Sequence, residues 1–286
     1  AVDDTPVTTC ATTALGAGVP VVVAPAMHEP MYDHPGVEAA LERVQSWGVA
    51  LSEPRLEEGK AKIASDEAIA LDAARAAGER RLAGESVVVT SGATSEAVDP
   101  VRVLSNRASG RTGRAVAQGC YVRGADVTLV HDGGDVPYAD VLAVESGAEM
   151  REAALAAAED ADALVSAAAI SDYTVEAAPE KLPSGQADLT LDLEPTPKLL
   201  DAAREAYPDL PMVGFKLETG ADDEALVEAA RSLRERVGLA FVVANDASVV
   251  GDAETRALLV GDDERTFAGT KTALGLRVAD ELAARR

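Results

Sequence analysis

A glycine- and hydroxyl-rich segment, SNRASGRTG (Ser105 to Gly113), has the composition of a phosphate-binding loop. It follows the apolar run SVVVTSG and precedes a stretch whose apolar residues recur at helical spacing. A helix that begins at such a loop directs free N–H groups and the positive end of its dipole toward an anion. Further donors in the segment are the side chains of Arg107, Ser109, Arg111 and Thr112. Because glycine and serine also form ordinary turns, the loop has low specificity by itself.

Two common nucleotide motifs do not match this segment. The spacing of Gly110 and Gly113 is neither G-x-G-x-x-G nor a P-loop. The sequence DYTVE at 172–176 also lacks the Tyr-x-x-x-Lys pair of short-chain reductases. These absences argue against an NAD(P)-dependent oxidoreductase, which remains a rival hypothesis that a cofactor-absorbance titration tests. A second rival is a non-catalytic flavin- or nucleotide-binding module, which would bind nucleotide without turnover.

Small, polar and aromatic residues follow the other apolar runs. In open α/β sheets ligands bind beyond the carboxyl ends of the strands. The residues expected at those ends are Ala167, Ala168, Ala169, Asp172, Phe215, Lys216, Asn245 and Asp246. The alanines would let a flat ligand approach the backbone. Asp172 would hold a ribose or a metal ion, or else cap a helix, and Phe215 would stack on a base or pack in the core.

The elements that must position these residues alternate between strands and helices. Apolar runs rich in valine predict buried strands at 19–27, 86–92, 125–131, 162–169, 211–217 and 239–246, with a hairpin-like pair at 256–261 and 264–269. Helical spacing predicts helices at 36–47, 66–77, 113–123, 148–158, 197–206, 223–237 and from about 270 onward. Such alternation predicts an α/β fold whose mostly parallel, doubly wound sheet is covered on both faces.

Two domains are expected. Residues 86–286 contain the complete alternation, and the polar segment 79–85 resembles a linker. Residues 1–78 supply only one strand and two helices, too few to bury their apolar faces as a complete doubly wound sheet would. We therefore expect the chain to begin partway through its first domain.

Charge and cysteine content limit the possible partners. The formal net charge is −23, and lysine is scarce beside arginine. An acidic surface repels nucleic acid. High salt screens the repulsion between the acidic groups of such a surface, so this composition favours the protein of a halophile over an ordinary acidic protein. The two cysteines lie far apart in the sequence, and the sequence has neither a signal peptide nor an apolar run long enough to span a membrane. We therefore expect a cytoplasmic protein whose partners include neither nucleic acid nor a membrane. Three of the few lysines, Lys181, Lys198 and Lys216, lie close in sequence, which hints at an anion site.

The second domain resembles the bifunctional phosphopantothenoylcysteine decarboxylase and phosphopantothenate–cysteine ligase family. The matching segments occur in the family's order between residues 86 and 250: SGATSEAVDPVRVLSNRASGRTG, AAAISDY with EAAPEK following, PTPKLL, VGFKLET and VVANDAS. Together they are far more specific than any one segment. The resemblance implies a Rossmann-like ligase domain of coenzyme A synthesis.

The first 78 residues resemble the flavoprotein-like decarboxylase domain of the same family. PAMHEPMY contains Pro25, Met27 and Met31 of a Pro-x-Met-Asn-x-x-Met motif, with His28 in place of Asn. EEGKAKIAS, with Lys60 and Lys62, resembles the substrate flap but has no cysteine. The family's early phosphate-binding strands and catalytic histidine have no counterpart in this sequence. The resemblance therefore implies an incomplete decarboxylase, with FMN expected only for a complete domain.

The resemblance implies a two-step reaction. CTP would activate the carboxylate of 4'-phosphopantothenate as an acyl-cytidylate with loss of pyrophosphate, and the amine of cysteine would then displace CMP. Mg²⁺ would bridge triphosphate oxygens, and its protein ligands stay unknown. Whether ATP replaces CTP is not evident from the residues. Family members assemble through this domain, so a homo-oligomer built from ligase-domain dimers is expected.

Site residues carry over position by position. Asn106 would contact the acyl intermediate and assist cysteine attack, and Lys181 would stabilise phosphates. The nucleotide would contact Gly92, Ser109, Gly110, Ala167, Ala168, Ala169, Asp172, Pro197, Lys198, Leu199, Leu200 and Phe215, and the other substrate Arg107, Asn106 and Asn245. Lys198 replaces the family's usual Asp. Two family lysines before VVAND are absent, and of Arg231, Arg234 and Arg236 we expect Arg234 to substitute.

Overall fold

The computed structural model describes residues 5–185, 188–220, 222–246 and 254–285. The chain divides into two compact units between Arg80 and Arg81, inside the segment 79–85 interpreted as a linker. Leu82 within that segment is buried, and its N–H donates to the carbonyl of Arg123 at 2.8 Å. The end of the segment thus belongs to the second unit.

The first unit consists of short strands and helices. Its elements are α1 (Pro6–Gly16), β1 (Val22–Val23), β2 (Met27–His28), α2 (Glu29–Tyr32), α3 (Pro35–Gln45), β3 (Ala50–Leu51), β4 (Arg55–Glu57), β5 (Lys60–Lys62) and α4 (Asp66–Ala77). The two helices predicted here are confirmed as α3 and α4. The prediction of one buried strand over 19–27 is wrong. That run forms only β1, which pairs with β3 in a two-stranded parallel sheet, and β2, which pairs with β5. One neighbouring strand cannot bury both faces of the run, and Val23 is 37% exposed.

The described residues of the second unit form an eight-stranded sheet. Its strands, in chain order, are β6 (Ser86–Thr90), β9 (Asp126–His131), β10 (Asp140–Ala143), β11 (Ala163–Ser166), β14 (Met212–Glu218), β15 (Phe241–Asp246), β16 (Glu254–Val260) and β17 (Glu264–Thr270). The spatial order is β10-β9-β6-β11-β14-β15-β16-β17. Pairing is parallel from β10 to β15, and the β16–β17 hairpin continues the sheet antiparallel. The predicted mostly parallel sheet and the terminal hairpin are confirmed.

Helices cover both faces of this sheet. They are α5 (Arg111–Val122), α6 (Gly147–Ala158), α7 (Leu199–Ala206), α8 (Asp223–Val237) and α9 (Lys271–Ala283). α6, α7 and α8 share a core with alternate strand residues such as Val88, Leu164 and Met212. The intervening residues are also buried and point to the opposite face, because side chains alternate along a strand, and α5 and α9 pack against strands there. This burial on both faces explains why the strands are continuous apolar runs.

Two antiparallel ribbons project from the loops that follow β6 and β11. They are β7 (Ser95–Ala97) with β8 (Val103–Ser105), and β12 (Tyr173–Val175) with β13 (Leu193–Pro195). The sequence analysis did not predict them, because three-residue strands with exposed side chains have too little hydrophobic periodicity to detect. Within the described ranges, no helix combines the length and the apolar character needed to cross a bilayer.

Candidate functional site at the carboxyl edge of the sheet

A cleft of about 340 Å³, hereafter the main cleft, opens at the carboxyl ends of β6, β11, β14 and β15. Its lining includes Gly92, Ala108 to Gly113, Ala167 to Ile170, Asp172, Phe215 to Leu217, Asn245, Thr255 and Lys271. Topology alone predicts a ligand site at this edge. The structure therefore brings together Gly92, Ser109, Gly110, the three alanines, Asp172, Phe215 and Asn245, which the sequence analysis had placed in one site.

The glycines hold the start of α5 tightly against the end of β6. Gly110 has φ +66°, and a Cβ there would lie 2.9 Å from the Cα of Gly92. A Cβ on Gly113 would lie 2.5 Å from the Cβ of Ser91, whose hydroxyl donates to the carbonyl of Gly110 at 2.8 Å. Gly110 is the N-cap of α5 and supplies no side-chain cap. The first residues of α5 line the cleft, and the N-cap residue offers their N–H groups no competing side chain, as an anion site requires.

The Asn106 carboxamide joins two segments that border the main cleft. Its Nδ2 donates to the carbonyl of Ala169 at 2.8 Å, and its Oδ1 accepts from the N–H of Ala108 at 2.9 Å. Ala169 in turn donates its N–H to the carbonyl of Gly92 at 2.9 Å. The Asn106 side chain is exposed, so it can still meet a ligand. Arg107, which was assigned to substrate binding, is exposed and lies outside the lining of this cleft.

A smaller cleft of about 170 Å³ adjoins the main cleft and shares Ala168, Ile170 and Asp172 with it. Its lining includes Pro197 to Leu200, the segment predicted to contact nucleotide. Hydrogen bonds from Thr196 hold that segment in place: its N–H donates to the carbonyl of Asp172 at 3.0 Å and its hydroxyl to the carbonyl of Ser171. Lys198 forms an ion pair with Asp172. The lysine that replaces the family's usual Asp therefore neutralises the carboxylate expected to contact the nucleotide sugar.

The far wall of the main cleft contains an unsatisfied acceptor. Asn245 Nδ2 donates to the hydroxyl of Thr255 at 3.1 Å, whereas its buried Oδ1 has no partner among the described residues. A buried acceptor without a partner costs free energy, which a ligand N–H or O–H would recover. Lys216 pairs with Glu218 at 2.9 Å. Ala247 and Ser248, the end of the VVANDAS segment, lie outside the described residues.

The structure does not place Arg234, which was expected to substitute for a family lysine, in the lining of either cleft. Its guanidinium donates to the carbonyls of Leu239, Ala240 and Gly261 and pairs with Asp262 at 2.6 Å. These residues lie at the amino end of β15, because α8 runs antiparallel to the strands. Arg236 lines the smaller cleft instead, where it pairs with Asp201 at 2.5 Å.

Lys181 lies on a loop that is fastened to the β7–β8 ribbon rather than in the lining of either cleft. The buried Asp99 carboxylate accepts from the N–H of Leu182 at 3.1 Å, and Arg102 donates to the Leu182 carbonyl at 3.2 Å. Burial alone would raise the pKa of Asp99, but hydrogen bonds from the N–H groups of Val101, Leu182 and Arg102, with the Arg102 charge, lower it below 3.8. The carboxylate is thus ionised at neutral pH and anchors the residue next to Lys181.

Lys271 and Thr255 line the main cleft, and the sequence analysis missed both. Thr255 is on β16 and Lys271 is the first residue of α9, which follows the hairpin. Thr255 belongs to no motif of strand-end residues, because β16 runs antiparallel to β15 and its first residues lie at the carboxyl edge of the parallel strands. β17 runs antiparallel to β16 and therefore in the same direction as β15, so Lys271 directly follows the carboxyl end of a strand. The local signals for Lys271 were the end of the hairpin and Thr270, whose hydroxyl caps α9, and neither shows what the helix start faces.

In the first unit, the residues assigned to the decarboxylase part lie on and beside β2 and β5. Met27 and His28 pair with Ala61 and Lys60 in an antiparallel sheet, and Pro25 is buried. His28 and Lys60 are exposed, Met31 is 56% exposed, and Lys62 forms ion pairs with Glu57 and Glu58. Such exposed side chains do not by themselves fit a flavin ring, which an apolar, enclosed site would hold.

Within the described residues, no cluster of three or more His, Cys, Asp or Glu side chains is arranged to hold a metal ion.

Comparisons with known proteins agree with this architecture. Residues 82–285 match the family model of the DNA/pantothenate metabolism flavoprotein C-terminal domain, and residues 2–74 match the Flavoprotein model. The coenzyme A biosynthesis bifunctional protein CoaBC of Thermococcus kodakarensis is 44% identical over 98% of this chain and 71% of its own length. CoaBC of Methanocaldococcus jannaschii is 31% identical over 92% of this chain, which spans 66% of that relative. The crystal structure of the DNA/pantothenate metabolism flavoprotein from Streptococcus pneumoniae covers 71% of this chain and 100% of its own, with TM-score 0.64 and 23% identity.

Proposed function

This chain belongs to the family of coenzyme A biosynthesis bifunctional proteins with a DNA/pantothenate metabolism flavoprotein C-terminal domain, and on that premise we propose that its second unit is a CTP-dependent phosphopantothenate–cysteine ligase. The observation that carries the proposal is the main cleft. There a helix start without a side-chain cap, three small residues and an amide oxygen that has no partner among the described residues meet at one sheet edge.

The proposed reaction has two steps. A carboxylate oxygen of 4'-phosphopantothenate attacks the α-phosphorus of CTP, forming the acyl-cytidylate as pyrophosphate leaves. The cysteine amine then attacks the acyl carbon, loses a proton and releases CMP. Mg²⁺, bound to the triphosphate oxygens, would offset their negative charge in the first step. The protein has to stabilise phosphates despite its net charge of −23, so local positive groups are essential.

The start of α5 supplies the anion-binding part of this mechanism. The N–H groups of its first turn, with the side chains of Ser109 and Thr112, face the cleft and would donate to the phosphates. The alanines at 167–169 would let the nucleotide lie against the backbone. Asp172, paired with Lys198, would contact the sugar, and Phe215 would border the base.

Asn106 would act in the second step. Its carboxamide is held between the Ala169 carbonyl and the Ala108 N–H, so its orientation is fixed before substrate binds. A preoriented carboxamide can hold the acyl group while the amine attacks. Lys181 would reach the phosphates from its loop, which Asp99 and Arg102 anchor through Leu182. A dimer of ligase domains remains part of the proposal.

The test separates the two steps. Pyrophosphate exchange into CTP that depends on 4'-phosphopantothenate measures the first step, and cysteine-dependent CMP release measures both. Asn106→Asp, which keeps the side-chain size, should retain exchange and lower cysteine-dependent CMP release by about tenfold or more, the cost of one hydrogen bond in the transition state. No cysteine-dependent product from the wild-type chain would refute the ligase assignment, and an unimpaired second step in the variant would remove Asn106 from its role.

A further inference from the structure

A buried lysine forms part of the main cleft. Lys271, the first residue of α9, is only 9% exposed, although lysine is among the residue types that are least often buried. It lines the cleft together with Thr255 and Asn245, on the side away from the alanines. Asn245 is on β15, the strand that pairs with the β16 strand of Thr255, and its Oδ1 atom is buried and has no partner among the described residues. The cleft thus has a polar corner that a ligand would complete.

The start of α9 lies beside the start of α5. The two helices touch where a Cβ on Gly275 would lie 1.9 Å from the carbonyl oxygen of Ala115. Ala115 is the fifth residue of α5 and Gly275 the fifth residue of α9. The contact is therefore about 6 Å along each axis from the helix starts, at a rise of about 1.5 Å per residue. Both starts open into the same cleft.

This arrangement brings three groups that can bind an anion to one place. Each helix start has a partial positive charge of about half an elementary charge, and Lys271 contributes an ammonium group. Burial weakens solvent screening and so strengthens the attraction of such groups for an anion. The protein as a whole is strongly acidic, so a lysine at this place does not follow from its composition. An anion bound between the two helix starts would accept hydrogen bonds from their N–H groups and from Lys271, in addition to the contact that Lys271 has within the protein.

We infer that Lys271 contacts a phosphate group of the nucleoside triphosphate substrate, within the part that leaves as pyrophosphate. The inference rests on the proposed function for the identity of the substrate, and it adds a residue of α9 to the phosphate site formed by α5. The other phosphorylated substrate, 4'-phosphopantothenate, offers the same chemistry, and separate affinity measurements distinguish the two. The nucleotide is favoured because the start of α5, the proposed triphosphate site, lies beside the helix start that contains Lys271.

The test replaces Lys271 with Met, which keeps the length of the side chain, and with Arg, which keeps the charge. Lys271→Met should raise the KM for CTP and the Kd for magnesium pyrophosphate by about 10- to 100-fold, the effect of one charge-assisted hydrogen bond. The KM values for 4'-phosphopantothenate and cysteine should change by less than about threefold, because neither would contact this side chain. Lys271→Arg should recover at least part of the pyrophosphate affinity. Arg231→Met removes an exposed arginine paired with Glu264 and controls for the loss of one charge.

The pyrophosphate affinity and the KM values of the Lys271→Met protein decide whether Lys271 contacts the nucleotide phosphates. Unchanged pyrophosphate affinity in a Lys271→Met protein that melts like the wild type overturns it, and so does a rise confined to the KM for 4'-phosphopantothenate. If Lys271→Met does not fold, pyrophosphate should still slow the reductive methylation of Lys271 in the wild-type protein, followed by mass spectrometry, and absence of protection overturns the inference. Pyrophosphate binding that depends on Lys271 in a protein without ligase product would refute the proposed function while leaving this anion site in place.

Discussion

Replacing Gly275 with alanine tests the packing that places α9 beside α5. The added Cβ would lie 1.9 Å from the carbonyl oxygen and 2.4 Å from the carbonyl carbon of Ala115. A carbon–oxygen contact needs about 3.3 Å, so the helices must separate by about 1.4 Å. The obstacle is backbone, which cannot rotate away as a side chain would. Leu274 and Val278, both buried residues of α9, would lose contacts when the helices separate.

The size of the effect follows from two opposing contributions. Overpacking of a core costs about 1–3 kcal/mol, and a backbone obstacle favours the upper end, about 3 kcal/mol. Alanine stabilises a helix interior by about 1 kcal/mol relative to glycine. The expected net loss in the free energy of unfolding is therefore about 2 kcal/mol. For a domain of about 150–250 residues this lowers Tm by about 4–8 °C.

Urea unfolding and thermal melting at one fixed salt concentration measure this change, with pyrophosphate affinity as a second reading. Gly134→Ala is the matched control, because a Cβ there meets nothing within 4 Å and should alter stability by less than about 0.5 kcal/mol. Gly119→Ala disturbs the same crossing, since its Cβ would lie 2.3 Å from the Gly275 carbonyl oxygen. The double variant should then be less destabilised than the sum of the two single variants. A Gly275→Ala protein as stable as the wild type would show that the helices do not cross this closely.

Two further predictions concern ionisation. The pKa of Asp99 is lowered from 3.8 in the folded protein. The stability that its ionised carboxylate contributes is therefore fully present above pH 3.8 and is lost as the pH falls through the folded-state pKa. Asp99→Asn should remove this acid-dependent part of Tm and make the loop that contains Lys181 more sensitive to limited proteolysis. An acid melting profile identical in wild type and variant would contradict the anchoring role. Burial raises the pKa of Cys120 to about 12, whereas Cys10 is exposed. A thiol reagent should therefore titrate Cys10 rapidly in the native protein and Cys120 only after unfolding, and a fast second thiol would show that Cys120 is accessible.

Local sequence was sufficient for the sheet of the second unit and for much of the site. The strands around Val88, Leu164 and Met212 are buried on both faces, and such strands appear in a sequence as continuous apolar runs. The site residues at 92, 167–170, 172, 215 and 245 end or directly follow those runs, and residues 108–113 immediately precede and begin the next helical segment. Since parallel strands share one carboxyl edge, knowing the strands was enough to group these residues. The same reasoning failed for the run at 19–27, because the burial of a strand depends on how many neighbours it has.

Other parts of the site depend on contacts between distant segments, which no local pattern encodes. Lys198 meets Asp172 because Thr196 bonds to the backbone of the Asp172 segment, and Leu182 beside Lys181 is anchored by Asp99 from another ribbon. The choice among the α8 arginines was decided by the helix face: Arg234 bonds to carbonyls at the amino end of β15, whereas Arg236, two residues further along the same helix, lines the smaller cleft.

The sequence by itself determined the α/β fold of the second unit and the strand-end residues of its site, because burial and helix starts leave signals within a few residues. Only the tertiary structure decided that Lys271 joins that site. Lys271 and the SNRASGRTG loop are far apart along the chain, and no motif links them. They line the same cleft because α9 packs on α5 where Gly275 meets Ala115, a contact between helices that only the completed fold creates.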